Sequence, residues 1–247
     1  MTVLVLALAS SIAWFISSLI GGGSPLILIP LITVLLSPGA IAPVITTGML
    51  FGNGQRVGLY WRHIEWRLVA WCLPSASLGA VLGAFVVSRT RIEWLSLLLA
   101  GFLLVSVVGL VWGKRSPSRN FKVRAWYFLP IGFGDAFCSG LIGSTGPVLQ
   151  PLYLGYGLTK EQVLATKSFN VLGIHLVKLI AYSIFGVLTL PYLSYGIVIG
   201  LAALPGNWLG RKVLEKMSEQ QFQRWVITFI GASALWMVWQ QRGILLL

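Results

Sequence analysis

The sequence predicts an all-α, polytopic membrane protein made of two inverted repeats, each of about five helical elements with a glycine-rich broken or re-entrant helix. Three observations support this prediction. The 247 residues are 57% hydrophobic and only 10% charged, and several apolar segments approach the roughly 20 residues that a spanning helix needs. A glycine- and proline-containing segment occurs twice, and basic residues cluster between the apolar runs.

The duplicated segment reads Gly-Gly-Gly-Ser-Pro over 21–25 and Gly-Ser-Thr-Gly-Pro over 143–147. Glycine and proline do not sustain a helix, and in hydrocarbon a broken backbone must be buried in protein or line a polar cavity. A short apolar run follows each copy, at about 26–36 and 148–156. Paired breaks at corresponding positions of two halves indicate the binding site of a transporter.

The first repeat, 1–112, is predicted to hold five elements in order. The first element is expected to belong to the mature bundle, because no basic region precedes it as in a signal peptide. Gly79 and Gly83 have the spacing that permits close helix contact. The five elements lie at about 3–20, 26–36, 41–60, 68–87 and 94–112.

A basic linker, 113–125, separates this repeat from the second repeat, 126–247. The motif at 44–47, Val-Ile-Thr-Thr, is similar to Val-Leu-Ala-Thr at 163–166. Five elements is an odd number, so the repeats are predicted to be inverted. The elements of the second half lie at about 125–142, 148–156, 161–185, 191–210 and 222–240.

The net charge of +12 is explained by basic residues in short cytoplasmic connections, as the positive-inside rule expects, so nucleic acid is not an expected partner. The lipid bilayer is an expected partner, and we expect a multi-pass protein of the inner (cytoplasmic) membrane. The eleven tryptophans are predicted to lie at the membrane interfaces. Cys72 and Cys138 show no metal or redox spacing, and no cofactor or metal site is predicted.

The breaks are candidate anion sites. A helix that begins at a break presents free N–H groups and the positive end of its dipole, and this combination binds anions. The alternative is that the glycines only permit close helix crossing. The predicted substrate-binding residues at the breaks are Gly21, Gly22, Gly23, Ser24, Gly143, Ser144, Thr145 and Gly146.

These breaks, together with the threonine-bearing helices after them, resemble the sulfite exporter TauE/SafE family of membrane permeases over nearly the whole chain. The resemblance implies movement of sulfite, sulfonates or related sulfur-containing anions across the cytoplasmic membrane. Ser144 and Thr145 stand where a run of glycines is common in the family.

Polar side chains on two helices extend the predicted site. At 100° per residue, Lys167, Asn170, His175 and Lys178 form one stripe on an otherwise apolar helix. Lys167 either attracts the anion or extends to an interface. Thr46, Thr47, Thr166, Lys167 and Asn170 are predicted to bind substrate, although a threonine hydroxyl can instead bond its own helix backbone.

Asp135 lies inside an apolar run, about two turns before the second break. A carboxylate there needs a proton or a cation, so Asp135 is a candidate proton-coupling acid or a member of a structural ion pair. His175 is a second candidate, because histidine titrates near neutral pH. The alternative for His175 is a hydrogen-bonded core residue.

The predicted function is a secondary transporter of small sulfur-containing anions, driven either by the substrate's own gradient or by an ion gradient, for which a proton and a sodium ion are the candidate coupling ions. An anion channel and a non-transport membrane scaffold or enzyme subunit are the alternatives. The sequence shows no set of residues with metal spacing and no nucleophile–base pattern, so the chain is not predicted to be an enzyme.

The first testable prediction concerns topology. The basic segments 61–67, 113–124 and 211–219 should all face the cytoplasm, because odd element counts and the charge rule agree on that side. Single cysteines in these segments should react with a membrane-impermeant reagent only after the membrane is opened. Labelling of 113–124 in intact cells would contradict the inverted arrangement.

Overall fold

The computed structural model describes residues 2–89, 123–145 and 149–240, and their regular structure is helical throughout. The predicted element at 94–112 and Gly146 lie outside the described residues. The α-helices are α1 (Thr2–Leu19), α2 (Ser24–Leu35), α3 (Ile41–Tyr60), α4 (Trp66–Arg89), α5 (Phe128–Ile142), α6 (Gln150–Tyr156), α7 (Lys160–Ile184), α8 (Leu190–Leu201), α9 (Ala203–Lys216) and α10 (Glu219–Gln240).

Five of the described helical segments are long and apolar enough to cross a membrane. The segments that meet both criteria are Thr2–Leu19, Trp66–Arg89, Ala125–Ile142, Lys160–Ile184 and Leu190–Lys216. The chain is therefore a multi-pass, all-helical membrane protein, as predicted.

The two helices that follow the breaks are short. Helix α2 has 12 residues and α6 has 7, so at 1.5 Å per residue they extend about 18 Å and about 10 Å. Neither reaches across a hydrocarbon core of about 30 Å. Their positions match the predicted short elements, and a re-entrant path stays a prediction.

The prediction of one element at 191–210 followed by a basic loop is wrong in its boundaries. Two helices, α8 and α9, meet at Ala202, and α9 continues to Lys216. Gly210 lies within α9 and does not end it; a Cβ added there would lie 2.4 Å from Ser18 Cβ of α1, so this glycine permits close packing of the two helices. Arg211 and Glu215 form an i,i+4 ion pair at 2.7 Å, and such pairs support a helix.

Helices of the two halves pack in a reciprocal pattern. Helix α1 packs on α9 and α5 packs on α4, so the first helix of each half lies against the last described spanning segment of the other half. Two further contacts also join the halves, because α3 packs on α8 and α7 packs on α4. Helices α3 and α7 pack on each other as well. The bundle core is therefore built between the halves.

Small residues allow the first-helix contacts. A Cβ atom added to Gly83 of α4 would lie 2.3 Å from the Phe137 carbonyl oxygen of α5. A Cβ atom on Gly206 of α9 would lie 2.2 Å from the Ser11 carbonyl oxygen of α1. The expected close contact at Gly79 and Gly83 is present, and Gly206 and Gly210 provide its counterpart at the other interface.

The second prediction tests this close packing with two changes on one helix. Gly140→Ala would place its Cβ 2.8 Å from the Gly83 Cα and 2.9 Å from the Ala80 carbonyl oxygen, and overpacking costs about 1–3 kcal/mol. The matched control is Gly134→Ala on α5, where the new Cβ meets nothing within 4 Å. Gly140→Ala should lower the melting temperature in detergent and Gly134→Ala should not; equal melting temperatures would contradict the packing.

Candidate functional site

The first break starts where α1 ends. Gly21 has φ 72° and the Gly22 N–H donates to the Ser17 carbonyl oxygen at 2.8 Å, which is the Schellman pattern of a helix C-terminus. Gly22 and Gly23 also have positive φ, 151° and 109°. Helix α2 then begins at Ser24 with a proline in its first turn, a position where the missing N–H costs nothing.

The second break differs in detail. Helix α5 ends at Gly143, which has φ 91° and donates its N–H to the Ser139 carbonyl oxygen at 2.9 Å. Gly143 lies close to α3: a Cβ atom added to this glycine would lie 3.1 Å from Ile45 Cβ. Helix α6 begins only at Gln150. Ser144 and Thr145 therefore belong to an irregular connection rather than to the first turn of a half-helix.

Lys167 of α7 joins the two halves. Its Nζ donates to the Gly21 carbonyl oxygen at 3.1 Å and to Gln150 Oε1 at 3.1 Å. A Cβ on Gly22 would lie 2.2 Å from this Nζ, and one on Gly21 would lie 1.9 Å from Gln150 Nε2. Only 9% of Lys167 is exposed, so it does not extend to an interface. The glycines of the first break make room for the lysine.

A cavity of about 30 Å³ lies beside the first break, and we call it the first-break cavity. It is bordered by α1, α3, α7 and both breaks. Its polar lining comes from Trp14, Ser17, Ser24, Asn53, Arg56, Ser144, Lys167 and Ser168. Residues from the two breaks thus meet at one cavity.

Arg56 of α3 is the second cation at this cavity, and only 3% of the residue is exposed. Its Nε donates to Asn207 Oδ1 at 2.9 Å, and its Nη2 donates to Ser18 Oγ at 3.0 Å and to the Trp14 carbonyl oxygen at 3.2 Å. The guanidinium also lies 4.6 Å from the centroid of the Trp14 ring. No acidic side chain among the described residues pairs with it.

The first-break cavity is rich in hydrogen-bond donors. Trp14 Nε1 and Ser17 Oγ are buried and find no partner among the described residues, and both residues line the cavity. Trp14 is fully buried, so the prediction of an interfacial tryptophan is wrong at this position. With Arg56 and Lys167, these groups form a cationic, donor-lined site.

A second cavity, also about 30 Å³, lies beside the second break, and we call it the second-break cavity. Both proton-coupling candidates line it, and Asn170, Ser144, Thr145 and Lys167 do so as well. Asn170 Nδ2 donates to the Tyr153 hydroxyl at 3.0 Å. Asp135 Oδ1, Asn170 Oδ1 and His175 Nδ1 are buried without a partner among the described residues. This lining therefore includes a carboxylate oxygen and an amide oxygen that have no hydrogen-bond donor among the described residues.

The model of the sulfite exporter TauE/SafE family matches residues 6–237. The chain belongs to this family. The match confirms the resemblance of the sequence and makes the chain a membrane permease of the sulfite-exporter type. Comparison with curated proteins and with solved structures gives no match.

Five of the predicted residues that the structure describes do not line either cavity in this TauE/SafE member: Gly21, Gly143, Thr46, Thr47 and Thr166. Thr47 Oγ1 donates to the Pro43 carbonyl oxygen of its own helix at 2.9 Å, and Thr166 Oγ1 accepts from the Glu65 N–H at 2.9 Å. Thr46 is fully buried, and its hydroxyl has no hydrogen-bond partner among the described residues. The hydroxyls of Thr47 and Thr166 therefore support the backbone locally.

Sequence reasoning did not select Arg56, Trp14 or Ser17 as site residues. The signal that could have found them is spacing: Trp14 and Ser17 share one face of α1, just before the break.

Within the described residues, no group of three or more His, Cys, Asp or Glu side chains could hold a metal ion.

Lys178 stabilises the second break. It is fully buried, and its Nζ donates to the Ser139 carbonyl oxygen at 2.8 Å, to Ser139 Oγ at 3.0 Å and to the Gly143 carbonyl oxygen. A cation at the C-terminus of α5 satisfies carbonyl groups that the helix leaves unpaired.

The third prediction follows from these contacts. Lys178→Met should lower the melting temperature, because each buried acceptor left unpaired costs about 1–3 kcal/mol. Lys216→Met is the matched control, since Lys216 is exposed in the last turn of α9 and its loss should change little. Equal melting temperatures for the two variants would show that Lys178 does not hold the break.

Proposed function

We propose that this permease is a secondary transporter of small sulfur-containing anions, such as sulfite, thiosulfate or a small sulfonate, across the cytoplasmic membrane, and that the anion binds in the first-break cavity. One observation carries the proposal. Two buried cationic side chains, Arg56 and Lys167, line the same cavity, and neither forms an ion pair with an acid among the described residues.

Buried charges are costly unless they are paired. Arg56 and Lys167 are near enough to repel each other electrostatically, so their proximity raises the cost further. An anion between them would relieve both penalties. Asp135 is an acid that attracts Lys167, but it lines the other cavity and leaves Arg56 without a countercharge.

The neutral donors fit the same ligand. Trp14 Nε1 and Ser17 Oγ have hydrogens available, and the hydroxyls of Ser24 and Ser144 border the same space. Sulfur oxyanions carry several acceptor oxygens and no donors, which matches a lining of donors. A cavity of about 30 Å³ has room for about two water molecules, which favours a compact anion over an extended organic molecule.

We propose that the repeats, 1–112 and 126–247, are inverted and that the breaks are re-entrant. The reciprocal packing of α1 on α9 and of α5 on α4 supports this arrangement, because an exchange of partners is what a two-fold relation between halves produces. Inverted repeats with broken helices at their interface suit alternating access around a fixed site.

The fourth prediction tests the anion site through Lys167. Lys167→Met should weaken thiosulfate binding ten- to a hundredfold, because a hydrogen bond to a charged group contributes about 1.5–3 kcal/mol. The measurement is thermal stabilisation of purified protein by thiosulfate, with counterflow in proteoliposomes. The matched control is Thr166→Val, one residue earlier, whose hydroxyl bonds the Glu65 N–H outside the cavities.

Three outcomes separate the alternatives. If the Lys167→Met protein folds and binds thiosulfate with wild-type affinity, the anion binds elsewhere. A loss in Thr166→Val equal to that in Lys167→Met would indicate a general effect on α7. Thiosulfate flux through wild-type protein without counterflow or saturation would favour a channel.

A further inference from the structure

The two cavities occupy corresponding positions in the two halves. Trp14 and Ser17 of α1 border the first-break cavity, and Asp135 and Ser139 of α5 border the second-break cavity. Each pair lies within about two turns of its break. On the helices that follow, Arg56 of α3 and His175 of α7 line the respective cavities.

The chemistry at these corresponding positions is opposite. Trp14, an N–H donor, lies in the first half near the position that Asp135, an acceptor, has in the second half. Arg56 of the first half corresponds in position to His175 of the second. The unpartnered buried atoms are Trp14 Nε1 and Ser17 Oγ in the first-break cavity, and Asp135 Oδ1, Asn170 Oδ1 and His175 Nδ1 in the second. Asn170 and His175 are each 1% exposed.

We propose that the second-break cavity is a proton-binding site, formed by Asp135 and His175, and that its proton binds together with the anion because Lys167 is shared by both cavities. This inference rests on the proposed function of the first-break cavity. The proton comes from the solvent on the side to which the site is open and leaves on the other side with the anion.

The lining favours a proton over a metal cation. A proton needs only one acceptor atom, whereas no group of three or more His, Cys, Asp or Glu side chains among the described residues could hold a metal ion. A carboxylate oxygen and an imidazole nitrogen each accept a proton directly.

Titratable groups from four helices face this carboxylate or its neighbours. These groups belong to α4, α5, α6 and α7. Among them, Lys178 donates its hydrogen bonds to Ser139 and to the Gly143 carbonyl oxygen. Among the described residues, the titratable groups around Asp135 are Cys72, Cys138, Tyr153, Lys167, His175 and Lys178.

Lys167 provides the linkage. It lines both cavities, and ionised Asp135 attracts it while Arg56 repels it. When Asp135 is protonated, that attraction disappears and the positive charge of Lys167 acts on the anion alone. Proton binding therefore strengthens anion binding, and by reciprocity anion binding strengthens proton binding.

The experiment measures thiosulfate affinity of the purified full chain between about pH 5 and pH 8, the range in which histidine changes charge. Thiosulfate remains a dianion there, so the ligand itself does not titrate. Wild-type protein should bind more tightly as pH falls, by up to about tenfold per pH unit if one proton is fully coupled. In weak buffer with a pH indicator, thiosulfate addition should cause proton uptake.

Two variants test whether Asp135 is responsible for the pH dependence and the proton uptake. Asp135→Asn keeps the size of the side chain but takes up no proton, so the pH dependence should flatten and proton uptake should fall. Glu215→Gln removes an exposed acid paired with Arg211 and should behave like wild type in both measurements.

Each result decides between the proposals. Wild-type protein that binds thiosulfate without pH dependence or proton uptake overturns the proton site and leaves the anion site standing. An Asp135→Asn variant with the full wild-type pH dependence also overturns it. Wild-type protein that binds no thiosulfate at any pH overturns the anion site and the coupling together. The wild-type measurements decide the question even if Asp135→Asn does not fold.

Discussion

The architecture depends on the position of one buried ammonium group. Lys167 Nζ is held between the carbonyl oxygen of Gly21, at the end of α1, and the side chain of Gln150, at the start of α6. Taking a charge out of water costs several kcal/mol, and each hydrogen bond to it returns about 1.5–3 kcal/mol. The negative end of the α1 dipole adds to this. The broken backbone is therefore a ligand for the lysine as well as a boundary between helices.

A second network fixes the other cation in the cavity. Asn207 of α9 accepts from Arg56 and donates to the Gly52 carbonyl oxygen and to Gln55 Oε1. Since α9 belongs to the second half, both cations of the first-break cavity are held by bonds that cross between the halves. A relative motion of the halves would change these bonds, so the charges in the cavity and the arrangement of the halves are physically connected.

The sequence predicted what depends on local composition. Hydropathy located the long helices, and glycine with proline located both breaks. Lys167 was predicted as a site residue because it belongs to a polar stripe on an otherwise apolar helix, close to the second break. Arg56 lies one turn from the end of α3, where a basic residue is ordinary, and only the packing of α1 and α9 shows that it is buried. The hydroxyls of Thr47 and Thr166 could bond either backbone or substrate, and that choice depends on tertiary neighbours.

The two cavities also show why similar halves need not do similar work. Each half contains a broken helix, but the side chains that border each break set the sign of the local field. Two independent sites would let each ion cross alone, and no gradient would drive the other. A lysine common to both linings removes that independence, because its charge cannot be fully compensated by Asp135 and by an anion at once. If the two cavities bind an anion and a proton as proposed, the shared side chain, rather than either cavity alone, would couple the transport of one to the other.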